Sequence, residues 1–168
     1  MPASTIITDS VIQDSIVRAV DNVCRTMLQQ EAKFVERTSE PTRADNQSST
    51  HVFGSVGFVG ATNGLVYLCL PDDFALFAAS HILGISTSEV VYEGPETLKD
   101  VVGEITNMTV GGFKNAIADL GFPCKLTLPT IVRGNNLSVA TIKGTTRHVC
   151  HFDCHGHRVI ADIQIKSE

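Results

Sequence analysis

The stretch "VVGEITNMTVGGF", residues 101–113, sets an acid and an amide three positions apart, Glu104 and Asn107, inside an apolar run that ends in two adjacent glycines. Each residue of an α-helix advances about 100° around the axis. On that wheel Leu98, Val101, Ile105, Met108, Gly112 and Ala116 share one sector, the expected core face. Asp100, Glu104, Asn107, Gly111 and Lys114 share a second sector that points outward. A glycine inside a helix costs about 1 kcal/mol relative to alanine. Gly111 and Gly112 therefore imply a close approach, by a partner or by another helix. Exposed helix faces carry charged and amide side chains in any case, so Glu104 and Asn107 alone decide nothing.

Working outward, the helix should run from about Glu96 to Leu120, with Gly121 placed to end it. Beyond it, "CKLTLPTIVRG", "SVATIKGTT", "RHVCHFD" and "RVIADIQIK" have the alternation and Gly/Asn punctuation of strands. Upstream, residues 10–29 show helical apolar spacing with Asp9 or Ser10 available as cap. "AKFVER" suggests a short strand, and the polar residues 38–50 a long loop. "HVFGSVGFVG" and "LVYLCL" form a hairpin around Asn63-Gly64, a strong short-range turn signal. The span His51 to Pro71 holds no charge and approaches the length of a membrane helix, but its glycines and that turn fit two buried strands better. Pro71-Asp72-Asp73 opens a second helix that Gly84 stops, and "SEVVYEGPE" (88–96) looks like an extended piece and a turn.

This order predicts an α/β fold of the α+β type: a layered domain whose largely antiparallel sheet packs against long helices. Residues 1–168 suit a single domain. Each half runs helix then hairpin, which is open to an internal pseudo-two-fold repeat, although no fixed sequence period supports one.

Hydrophobic residues are 43% and charged residues 18%, an ordinary globular composition. The net charge of -5 and pI near 5.6 argue against a nucleic-acid binder, which needs a basic face. No membrane partner is expected; proteins or small molecules are. The five cysteines are odd in number, and "MPASTIITDS" has no basic segment followed by an apolar one. Both features suit a cytoplasmic setting with reduced thiols.

The segment "GEITNMTVGGFKNAIADLGFPCKLTLPTIVRG" resembles the CheX family of chemotaxis phosphatases, relatives of CheC and of flagellar switch phosphatases such as FliY. The family signature is an Asp or Ser, then Glu-x-x-Asn on a long helix, then a proline some twenty residues on. Those positions here are Asp100, Glu104, Asn107 and Pro129, and the match covers about residues 98–136. CheC-type members carry a second Glu-x-x-Asn in the first helix. Here Ala19 stands three residues before Asn22, leaving one site, as in CheX.

The resemblance implies a phosphatase that removes the phosphoryl group from the aspartyl phosphate of a CheY-like response regulator. The phosphorylated receiver would supply Mg²⁺ and a lysine, so this chain needs neither cofactor nor metal. A carboxamide can accept a hydrogen bond from water while donating another, which suits positioning rather than proton abstraction. Asn107 would orient the attacking water, and Glu104 would pair with the receiver's lysine. Asp100 would make a rim contact or help the helix start; Gly111 and Lys114 would extend the partner-binding face. Pro129 would be architectural. A homodimer is implied as well. The alternative is a non-catalytic module of the same fold that docks on a receiver or flagellar switch component, as FliM does.

One rival feature stands out. "RHVCHFDCHGHR" (147–158) packs Cys150, His151, Asp153, Cys154, His155 and His157 together, the residue types of a zinc site or of a cysteine nucleophile with a neighbouring base. It lacks a second spaced ligand pair. Strand alternation places His148, Cys150 and Phe152 on one face and His151 and Asp153 on the other, with Gly156 at a turn. A polar hairpin tip without metal is the expectation.

Overall fold

The computed structural model describes residues 7–40 and 49–166. The elements in chain order are α1 (Asp9–Leu28), β1 (Ala32–Thr38), β2 (Thr50–Gly60), β3 (Gly64–Pro71), α2 (Asp72–Leu83), α3 (Thr87–Glu93), α4 (Pro95–Asp119), β4 (Cys124–Leu126), β5 (Thr130–Asn135), β6 (Thr145–Cys154) and β7 (His157–Lys166). Most of the expected loop 38–50 lies outside the described residues. The uncharged span 51–71 is the β2–β3 hairpin. Among the described residues no single helix is long and apolar enough to cross a membrane; α2 and α3 pass on length and composition only as a pair bent by 95°.

All strand pairings are antiparallel, and the sheet runs β1-β6-β7-β3-β2-β4, with β5 also on β2. This order reads the same from either end once the halves are exchanged. The β2–β3 hairpin corresponds to β6–β7, and each half's leading strand pairs with the other half's hairpin: β1 with β6, β5 with β2. The pseudo-two-fold layout therefore exists in the topology, although the sequence shows no period.

Helices α1 and α4 pack together on one face of the sheet, over a core that includes Ile16, Val20, Leu28, Phe58, Phe113, Ile117, Phe152 and Ile163. The opposite face is covered too. Phe53, Cys69, Val139, Val149 and Ile160 form a smaller cluster there, beneath the excursion that joins β5 to β6. Consequently β7 is buried from Val159 to Ile165, on both faces.

Three expectations need correction. Residues 87–93 form α3 rather than an extended piece, because Ser86 and Glu89 make a capping box and Gly94-Pro95 separates α3 from α4. "SVATIKGTT" is mostly irregular, with only its last two residues, Thr145 and Thr146, in β6. Side chains on β6 and β7 hold its backbone: Arg147 donates to Val139 O, and Gln164 donates to Ala140 O and accepts from Ile142 N, while Arg147 also donates to the Thr141 hydroxyl. Finally, α1 begins one residue earlier than its two candidate caps allow, with Thr8 as the cap accepting from Val11 N at 3.2 Å.

Candidate functional site

Helix α4 begins with Pro95 at its first turn and ends before Gly121, whose φ of +100° suits glycine. Its buried residues are Leu98, Val101, Val102, Gly103, Ile105, Thr106, Thr109, Val110, Phe113 and Ile117. That set is wider than the expected sector and rotated from it: Met108 and Gly112 are exposed and Ala116 only half-buried. The cause is that α4 packs against helices as well as the sheet, chiefly α1 and also α2 and α3. Thr106 and Thr109 enter the core because each hydroxyl donates to a carbonyl one turn back, Val102 O at 2.7 Å and Ile105 O at 2.8 Å. Gly54 on β2 admits α4 at this level, since a Cβ there would collide with Thr106 Oγ1.

The outward stripe is real. Asp100, Glu104 and Asn107 are exposed, and none of the three side chains engages another described residue through a hydrogen bond or ion pair. They form one wall of an open groove of about 450 Å³, with Gly103 at its floor; Leu128, Pro129 and Ile131 form the other wall. Lys99 and Glu96 close one end, 4.0 Å apart. Gly111 and Lys114 lie farther along the helix, half-buried and outside the groove, where Lys114 is close enough to Cys124 to oppose the rise that burial imposes on its thiol pKa.

The two glycines face different surroundings. A Cβ on Gly111 would meet nothing within 4 Å, whereas one on Gly112 would sit 3.3 Å from the Cβ of Ala19 on α1. Gly112 therefore serves helix packing, as one of the two expected roles had it. Ala19, which stands three residues before Asn22, is buried at this contact, at 6% exposure.

Pro129 reaches the groove through the sheet. Phe58 pairs with Leu126 and Ser55 with Thr130, so the partner strand uses four steps where β2 uses three. The surplus residue is taken up at Leu128-Pro129, a bulge of the kind proline tolerates. Thr127 fixes its near side, exchanging two hydrogen bonds of 2.8 Å with the backbone of Gly57. Leu128, Gly103 and Ile131 were not singled out by sequence reasoning. The only signal for them was the Leu-Pro-Thr run itself, whose register against β2 no local pattern encodes.

The Cys/His segment does not converge. Among the described residues no three His, Cys, Asp or Glu side chains gather as a metal site. Cys150 and Cys154 are buried as free thiols in the main core, and burial raises the Cys150 pKa to about 11, away from nucleophilic use. His155 stacks on Phe77 with ring centroids 4.0 Å apart, and His157 lies against Phe74. His148 is buried, with neither ring nitrogen hydrogen-bonded; the Asp9 carboxylate lies 3.8 Å from Nε2.

Comparison with known proteins now bears on this helix–groove unit. The model of the family "Chemotaxis phosphatase CheX" matches residues 52–153, well over half of the chain. The chain belongs to the CheX family. Solved structures agree across nearly its whole length. The chemotaxis protein CheX of Vibrio vulnificus is 25% identical over 92% of this chain and 99% of that one, with a TM-score of 0.78. A CheC-like superfamily protein from Shewanella sp. PV-4 is 23% identical over 95% and 100%, with a TM-score of 0.78. The CheX–CheY–BeF3–Mg2+ complex from Borrelia burgdorferi contributes a chain 21% identical over 93% and 98%, with a TM-score of 0.75. Comparison with curated proteins gives no match.

Proposed function

We propose that this CheX-family chain hydrolyses the aspartyl phosphate of a CheY-like response regulator, by inserting α4 into the receiver's active site. The observation that carries this reading is the exposure of Glu104 and Asn107 together, one turn apart on a rigid helix, with their polar groups unengaged beside Pro129. A water oxygen attacks phosphorus in line with the aspartyl oxygen; the P–O bond to the aspartyl side chain breaks. Receiver aspartate and inorganic phosphate are the products, and the water's proton ends on phosphate. Charge neutralisation comes from the receiver's own Mg2+ and lysine. Asn107 Oδ1 accepts a hydrogen bond from the water and fixes its approach. Glu104 pairs with the receiver lysine and so sets the register of the helix in the site. Asp100 contributes at the rim. Gly111 leaves open backbone next to the groove for the receiver's loops, and Lys114 extends this face. The reaction belongs to the cytoplasm, and the chain acts as a homodimer, a state that light scattering reads directly.

Phosphate loss from a phosphorylated CheY-like receiver with Mg2+ should accelerate when this protein is added. Asn107→Ala and Glu104→Ala should each remove about a hundredfold or more of that acceleration, the scale of misplacing a reactant. If both variants stay fully active, the site is wrong. Tight binding without acceleration would instead identify a docking module of the same fold.

A further inference from the structure

The polar wall of the groove has chemistry to do in the reading above; the apolar wall does not. Leu128 is 88% exposed, and its exposure is built in rather than frayed. Thr127 is pinned to Gly57 on one side, Thr130 resumes pairing with Ser55 on the other, and between them the proline ring fixes the backbone at Pro129. The surplus residue of the bulge turns the leucine away from its own core, where it contributes nothing to the fold. Pro129 and the half-buried Ile131 continue the apolar surface toward the groove floor.

We infer that Leu128 is the apolar anchor that seats the receiver domain against the Glu104–Asn107 face. The inference rests on the phosphatase reading, because the occupant is fixed by the shared groove: whatever meets Glu104 and Asn107 also meets Leu128. Exposed charged contacts alone give weak, salt-screened affinity. A leucine entering an apolar depression beside the phosphorylated aspartate supplies salt-insensitive affinity without touching the reacting atoms. It acts equally on the bound state and the transition state, so it should govern KM and leave kcat alone.

The test is steady-state phosphate release from a CheY-like receiver kept phosphorylated by acetyl phosphate. Leu128→Ala should raise KM about tenfold, the effect of losing most of a buried leucine side chain, with kcat unchanged. Leu128→Asp should raise KM further, and Leu128→Met should restore it. Thermal midpoints should stay at the wild-type value, since the side chain makes no core contact. Unchanged KM in Leu128→Asp, or a loss confined to kcat, overturns the anchor. If the wild-type chain gives no acceleration, the phosphatase reading fails instead. Binding to BeF3⁻-treated receiver then still decides the anchor, which equal affinities of wild type and Leu128→Asp would overturn.

Discussion

Gly111 and His148 are two positions where a single side chain, or its absence, is out of keeping with its surroundings. Nothing in the chain's own packing requires glycine at 111, because a Cβ there meets open space. Gly111→Ala should therefore raise stability by about 0.5–1 kcal/mol in urea melts, through the helix propensity regained. The same methyl group should raise KM for the receiver, if the bare backbone is where that partner presses. His148 has the opposite problem, a polar ring in the core without hydrogen bonds. Burial lowers its pKa, the Arg37 charge lowers it further, and Asp9 opposes both. With the folded value below the unfolded one, the unfolded chain binds more protons at acid pH. The stabilising effect of a neutral His148 is thus complete above about pH 6.5 and lost as pH falls through the folded value. His148→Leu should flatten the fall in thermal midpoint below about pH 6.5; an unchanged slope would mean that other groups carry it. Glu104 and Asn107 were legible in the sequence because helical spacing and a family signature coincide on them. His148 was legible only as one letter in a Cys/His-rich string, since its burial comes from β1 and α1 packing against β6.

At the scale of elements, strong local patterns and their endings were readable, while elements held by distant side chains were not. The spacing gave α1 and α4 nearly to the residue, and Asn63-Gly64 gave the β2–β3 hairpin. Helix α3 was hidden by Val90, Val91 and Tyr92, residues that favour strands, although the capping pair Ser86 and Glu89 was present in the sequence. The excursion from β5 to β6 was beyond local reading for a different reason. Its carbonyls are satisfied by Arg147 and Gln164, which stand on strands and reach across to it. Arg147 also pairs with Asp162, at 2.6 Å and with both side chains almost fully buried. Arg147→Ala should cost about 3–5 kcal/mol in urea unfolding, because it takes the paired guanidinium away from a buried carboxylate and releases the cover from the back of the sheet. The bulge at Leu128-Pro129 belongs to this class too: the sequence shows the proline, and only the register with β2 shows where the leucine points.

For the whole molecule, the layered α+β class followed from the order of elements, but the interleaving of the halves did not, since strand order depends on pairings between residues far apart in the chain, such as Phe34 with Phe152 and Gly64 with Ile165. Those pairings have a consequence for biosynthesis. Strand β1 waits for β6, and β3 waits for β7, the last of the described strands, which occupies the middle of the sheet rather than an edge. While the ribosome is still making the C-terminal segment, the emerged β2–β3 hairpin has one flank open and α1 and α4 have only part of a floor. Long-range closure of this kind is slow and leaves apolar strands unpaired in the meantime. The nascent chain should therefore stay protease-sensitive until β7 clears the exit tunnel, and then become resistant in a single step.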